Sequence, residues 1–191
     1  VFNTVMTGVD DKGNNVYGTI TGKDNVGGLV GTNSGTLSNA YNTTGVEGAK
    51  GSTGNAVGVN DINGTIENIY ASNTSGNLIG NSQETINKAY SFSSSDEEST
   101  VVEFIDDVDT DKDGIKDRVD KDSYTGFDFT NDWKNYDGSG NPLLKVFLTK
   151  VTVDNTKLPN LVYNTQDQDL NIGSLTGDGG AFSAEDDFKA Y

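Results

Sequence analysis

The sequence contains no cysteine, no histidine and a single arginine, Arg118, among 191 residues. Without cysteine no disulfide can brace the fold, so stability must come from the core or from a bound metal. Without histidine neither a Ser–His nor a Cys–His nucleophile can be built, and transition metals lose their preferred ligands. Bases are scarce overall: 13 Lys and Arg face 29 Asp and Glu, for a net charge of −16 and a pI near 4.1. Phosphate backbones are held by clustered Lys and Arg, so the composition argues against nucleic acid as a partner. Anionic membrane surfaces are disfavoured for the same reason. No stretch approaches the ~20 apolar residues of a membrane span, so no membrane insertion is expected. No signal peptide opens the sequence, and the chain reads as an interior piece of a longer protein, with flanking modules of that chain as neighbours.

Apolar residues make up 32%, against a usual ~45–50% with glycine counted. The 24 glycines restore an ordinary total, so the chain can fold around a thin core of small residues. Charge is unevenly spread. Residues 1–95 hold 7 acids and 4 bases, residues 96–137 hold 15 and 5, and residues 138–191 hold 7 and 4. The middle segment is a separate electrostatic object.

The first ninety residues repeat. "GTLSNAY" (35–41), "GTIENIY" (64–70) and "ETINKAY" (84–90) align, placing Thr36, Thr65 and Thr85 in one column. Leu37, Ile66 and Ile86 fill the next column, and Tyr41, Tyr70 and Tyr90 close the units. Tyr17 offers an earlier tyrosine, and successive tyrosines stand 24, 29 and 20 residues apart. Upstream lie "VGGLVG", "NAVG" and "NLIG". The segments are short and alternating, with Gly/Asn/Ser/Asp turns between them, which predicts strands. One unit cannot bury a face alone, whereas stacked units bury a continuous column. The fold class expected is all-β: a right-handed parallel β-helix with a C-terminal cap and a β extension. Leu37/Ile66/Ile86 should form one interior ladder and Leu29-Val30/Ala56-Val57/Leu78-Ile79 another, with the tyrosines stacked along an edge.

"NVGGLVGTNSGTLSNAY" resembles the GLUG repeat of large secreted bacterial surface proteins of the filamentous-haemagglutinin type. The second copy lacks the double glycine and the third has Glu84 for glycine. The resemblance covers residues 14–92, under half the chain. It implies a β-helix, a secreted cell-surface adhesin and, as partner, a host or neighbouring-cell surface. "YTGFDFTNDWKNYDGSGNPLLKVF" (124–147) is similar to the segment that closes such repeat stacks. Phe127, Phe129, Trp133, Leu143 and Leu144 are therefore expected to cap the open end of the stack. "LVYNTQDQDL" resembles the start of the small MBG or YDG β-sandwich modules. The domain reading is thus 1–95 repeats, 96–123 acidic insertion, 124–150 cap and 151–191 β extension.

Within the insertion, "DTDKDGIKDRVD" spaces Asp109, Asp111, Asp113, Asp117 and Asp120 at places 1, 3, 5, 9 and 12 of a loop with Gly114 at place 6. Hard cations such as calcium take ~6–8 oxygens, and alternate aspartates in a tight turn aim at one centre, with a backbone carbonyl from place 7, here Ile115. Magnesium suits a flexible many-carboxylate loop less well. The expected metal set is Asp109, Asp111, Asp113, Ile115, Asp117 and Asp120, with calcium as the cofactor. Lys112, Lys116, Arg118 and Lys121 should point outward. "DTDKDGIKDRVDKD" is similar to the calcium loops of thrombospondin type 3 repeats, which place Ile after the glycine.

Glycoside chemistry needs two carboxylates about 5–9.5 Å apart. The acids of the first 95 residues, Asp10, Asp11, Asp24, Glu47, Asp61, Glu67 and Glu84, form no pair at equivalent repeat positions. No catalytic residue is assigned. The functional expectation is an extracellular structural or adhesive segment of a cell-surface fibre; the alternative is a carbohydrate-binding module or a polysaccharide-active β-helix enzyme.

Overall fold

The computed structural model describes residues 1–3, 6–9, 15–82, 86–97, 99–136, 140–148, 151–153, 175–177 and 180–182. Outside these lie Asp10, Asp11, Glu84, Thr85 and the whole stretch likened to an MBG or YDG module. The described residues are all-β, with short 3-10 turns and no α-helix. None forms a helix long and apolar enough to cross a membrane. The chain divides into two units, Val1–Val146 and Phe147–Tyr191. Repeats, acidic insertion and the aromatic segment up to Val146 thus belong to one unit, and the expected 124–150 cap is divided at that point.

The first unit opens with β1 (Phe2–Asn3), the antiparallel pair β2 (Met6–Val9) and β3 (Asn15–Tyr17), and β4 (Thr19–Gly22). The first repeat supplies β5 (Val26–Gly27), β6 (Val30–Asn33) and β7 (Thr36–Asn42). The second supplies β8 (Gly45–Gly48), β9 (Thr53–Gly54), β10 (Val57–Asn60) and β11 (Thr65–Ala71). The third supplies β12 (Ile79–Ser82) and β13 (Ile86–Ser91), followed by β14 (Glu103–Phe104), β15 (Trp133–Lys134) and β16 (Leu143–Leu144). Equivalent strands pair in parallel. One sheet runs β1-β7-β11-β13-β14, another β12-β10-β6, and β4-β8 and β5-β9 form two further pairs. The second unit holds β17 (Val151–Val153), β18 (Leu175–Gly177) and β19 (Gly180–Phe182) in an antiparallel sheet.

The registers follow the sequence columns. Ile66 pairs with Leu37 and Ile86, Tyr70 with Tyr41 and Tyr90, and Val57 with Val30 and Ile79. Both expected ladders are present. Leu37, Ala40, Ala56, Val57, Ile66, Ile69, Leu78, Ile79 and Ala89 form one buried core, with Leu29, Val30 and Ile86 packed on it. Between repeats only glycine fits at Gly27 and Gly54: a Cβ there would lie 2.8 Å from the Ala56 carbonyl or 2.9 Å from the Leu78 carbonyl of the next repeat.

Tyr41 stacks on Tyr70 as expected, but the tyrosines lie not along an edge: they are buried in a second core on the opposite face of the five-stranded sheet. The cause is a backbone switch. Asn39, Asn68 and Lys88 occupy equivalent positions with φ of 47°, 52° and 56°. This left-handed residue breaks the alternation of faces. Ile66 and Ile69 both face the first core, and Tyr70 is sent to the other side. The resulting aromatic row is too apolar to leave in water. Residues 124–136 and 140–144 cover it: Tyr124, Phe127, Trp133 and Leu144 are buried with Tyr41, Tyr70, Tyr90, Phe92 and Ile105, and Phe129 and Leu143 pack alongside. The aromatic segment is therefore a lateral cover across three repeats. That corrects the expectation that it closes the end of the stack.

Polar tips secure the cover. Tyr70 Oη donates to the Pro142 carbonyl at 2.7 Å, Tyr90 Oη to the Thr125 carbonyl at 2.6 Å, and Trp133 Nε1 to Asn39 Oδ1 at 3.2 Å. Tyr41 and Tyr70 stack with centroids 5.2 Å apart, and Phe127 stacks on Trp133 at 4.3 Å. Burial pushes the phenols of Tyr41, Tyr70, Tyr90 and Tyr124 upward.

Two outcomes follow. Ile69→Ala empties a fully buried site and should cost about 2–5 kcal/mol in urea unfolding, whereas the exposed Thr36→Ala should change stability by less than about 0.5 kcal/mol. Because the four tyrosines ionise less readily folded than unfolded, their contribution is intact below about pH 10 and is lost as the pH rises above it. A base titration should show these phenols ionising together with unfolding.

Candidate metal site

The acidic loop is built from its own backbone turns. Asp109 accepts from two amides, with Asp113 N–H at 3.2 Å on Oδ1 and Gly114 N–H at 3.0 Å on Oδ2. Asp111 Oδ1 also accepts from Asp113 N–H at 3.2 Å, and Asp113 Oδ1 from Ile115 N–H at 2.7 Å. Such Asx contacts are what closely spaced aspartates offer a turn. They need the chain to double back, and Lys112 and Gly114 supply φ of 66° and 94°. The result brings one carboxylate oxygen each from Asp109, Asp111 and Asp113 within 4.8 Å of one another.

Three convergent carboxylates with no nitrogen or sulfur donor suit a hard divalent cation. The charge that would hold the ion is already felt. Asp111 keeps its proton above the usual carboxylate range: the Asp113 amide pulls it down, but desolvation, the negative charges of Asp113 and Asp109 and a hydrogen bond to Asp109 outweigh that pull.

The other expected ligands are placed differently. Asp117 faces Thr110, accepting from its amide at 3.1 Å and its hydroxyl at 2.6 Å, while its own amide donates to the Val108 carbonyl at 2.8 Å. It staples the two ends of the loop together. Asp120 is buried and caps the turn Lys121–Ser123, accepting from Asp122 N–H at 2.9 Å. Ile115 is half-buried beside Asp113 through its amide. The converging group among the described residues is thus Asp109, Asp111 and Asp113, half of the set read from the spacing.

Of the intervening cations, Lys112, Lys116 and Lys121 are exposed, with Lys116 paired to Asp107 at 3.1 Å. Arg118 instead turns inward, which corrects the expectation that it points to solvent. Its Nε donates to the Ile105 carbonyl at 3.1 Å and its Nη2 to the Phe92 carbonyl at 3.0 Å, with the guanidinium 5.0 Å from the Phe92 ring centroid. Tyr124 Oη donates to the Arg118 carbonyl at 2.7 Å. A planar guanidinium with several donors suits two strand-end carbonyls beside an aromatic face. The signal was available in the sequence: the chain's one arginine stands where lysines would serve a solvated position equally well.

Among the described residues, the register partners of Glu67 are Ser38 and Asn87, neither of them a carboxylate. Asp61 is held by the Ser34 hydroxyl and the Asn63 amide, which lower its carboxyl. Compared with known proteins, the chain matches no family model, no curated protein and no solved structure.

Arg118→Lys should keep the charge and lose the forked contact. It is expected to cost about 1.5–3 kcal/mol, the range for hydrogen bonds made by charged groups, and to speed amide exchange across 105–124 more than in the repeats.

Proposed function

We propose that this chain is a structural or adhesive segment of a secreted bacterial cell-surface fibre, folded as a right-handed parallel β-helix and stiffened by calcium. The observation that carries the reading is the in-register parallel pairing of three repeats, Leu37/Ile66/Ile86 and Tyr41/Tyr70/Tyr90. Such a stack is extended by adding repeats, and it offers length and stiffness without a catalytic cleft. The resemblance to GLUG repeats supports the adhesin context, an extracellular location and a host or neighbouring-cell surface as the target.

Calcium fits this reading as a structural ion. Asp109, Asp111 and Asp113 would hold it, and outside a cell it is plentiful enough to keep a weak site filled. The ion removes like-charge repulsion within the loop and stabilises the folded state by RT ln(1 + [L]/Kd). Through Asp117 and Arg118, the loop is tied to the strand ends at Phe92 and Ile105.

The rival reading, a carbohydrate-binding module or polysaccharide-active enzyme, predicts glycan-array binding or release of reducing ends. Neither is expected. Chelation should lower the melting temperature and open residues 100–123 to protease, and added calcium should reverse both. Asp111→Asn should weaken that response about tenfold or more, as loss of one charged ligand does. No bound calcium and no effect of chelator would reject the metal assignment; glycan turnover would reject the structural one.

A further inference from the structure

The repeats are joined by a forked contact that recurs. Leu29 and Val30 N–H donate to the Ala56 carbonyl at 2.9 and 3.2 Å. One repeat on, Ala56 and Val57 N–H donate to the Leu78 carbonyl at 2.8 and 3.2 Å. A fourth repeat would offer the next carbonyl to Leu78 N–H. The carboxylate of Asp96 stands there instead, its Oδ2 accepting from Leu78 N–H at 2.7 Å. Asp96 is 5% exposed and ends the 3-10 turn Ser94–Asp96, whose start is capped by Ser93 Oγ accepting from Ser95 N–H at 3.2 Å. Beyond it the chain adds only the two residues of β14 to the five-stranded sheet. Along β12 a groove of about 490 Å³ is left, lined among others by Ile79, Gly80, Ile86, Val101 and Val102.

We propose that residues 93–97 and 99–104 form an autoinhibitory strap, which ends the stack by imitating the first contact of a further repeat and so keeps β12 from pairing with β6 of a second copy. The second copy is the occupant that the registers fit. β6 already pairs with β10 through Val30–Val57, Thr32–Val59 and Asn33–Asn60, and β12 pairs with β10 through the same three residues. Laid on β12 in that register, β6 places Val30 over Ile79, Gly31 over Gly80 and Asn33 over Ser82. A glycine is needed at the middle place, since a Cβ on Gly80 would meet the Gly58 carbonyl at 2.7 Å. No strand among the described residues pairs with the outer edge of either β6 or β12. These are opposite edges, so their union is head-to-tail, the heterologous geometry that yields rings or fibres rather than a two-fold dimer. A carboxylate suits the blocking role: it accepts the amide as a carbonyl would and brings a negative charge to the edge.

The test is sedimentation velocity on the full chain over about a hundredfold range of concentration, with amide exchange read at Leu78. Wild type and Asp96→Asn, whose amide oxygen still accepts, should stay monomeric. Asp96→Ala should form concentration-dependent oligomers, and its Leu78 amide should exchange about tenfold faster or more. A folded Asp96→Ala protein that remains monomeric overturns the proposal, as does a wild-type Leu78 amide that exchanges like an exposed turn. Should Asp96→Ala fail to fold, Ser93→Ala loosens only the cap of the strap. It should show faster Leu78 exchange and self-association at the highest concentrations, and no change in either overturns the proposal.

Discussion

One backbone position governs the larger unit: the left-handed residue shared by β7, β11 and β13. An extended strand alternates its side chains between two faces, and a single left-handed residue breaks that alternation. Here Asn39, Asn68 and Lys88 do so at the same height in three paired strands. The five-stranded sheet therefore has two apolar faces. One is aliphatic and made of small residues; the other is a row of tyrosines. The aromatic segment answers to that second face. Tyr124, Phe127, Trp133 and Leu144 serve as its cover, and Arg118 is drawn inward along its border. Asparagine tolerates the left-handed region better than most residues. The third repeat uses lysine there, and its ammonium is engaged by Glu103 and Thr125 at 3.3 and 3.0 Å.

The ladders were legible in the sequence because each column repeats an aliphatic residue: Leu37, Ile66 and Ile86 could occupy only equivalent places. The second core was harder to see. An aliphatic residue directly before each tyrosine, as in Ala40-Tyr41, Ile69-Tyr70 and Ala89-Tyr90, breaks simple alternation and requires two buried faces. Asn39 and Asn68 just upstream were the accompanying sign. The large apolar residues of 124–144 were recognisable as partners for an exposed core, but composition does not say whether a cover lies across a stack or at its end. That depends on where the tyrosines point.

The acidic loop shows the limit of reading ligands from spacing. The 1-3-5 aspartates converge because a turn with Gly114 at its apex brings alternate side chains together, which is a local property. Places 9 and 12 are not local to that turn. Asp117 is taken up in closing the loop on Thr110, and Asp120 in capping the next turn, next to the covered core. Asp109, Asp111 and Asp113 accept amides too, but those amides belong to the same turn that brings the three carboxylates together.

The cover also changes how the unit would carry load. Strands paired side by side peel apart one at a time when pulled along the stacking direction. Trp133 reaches Asn39 in the first repeat, Tyr70 of the second holds Pro142, and Tyr90 of the third holds Thr125. These ties run across the seams between repeats, as a splint runs across a fracture. Tension that would open one seam is passed to its neighbours, so the three repeats and their aromatic splint must yield as one mechanical element.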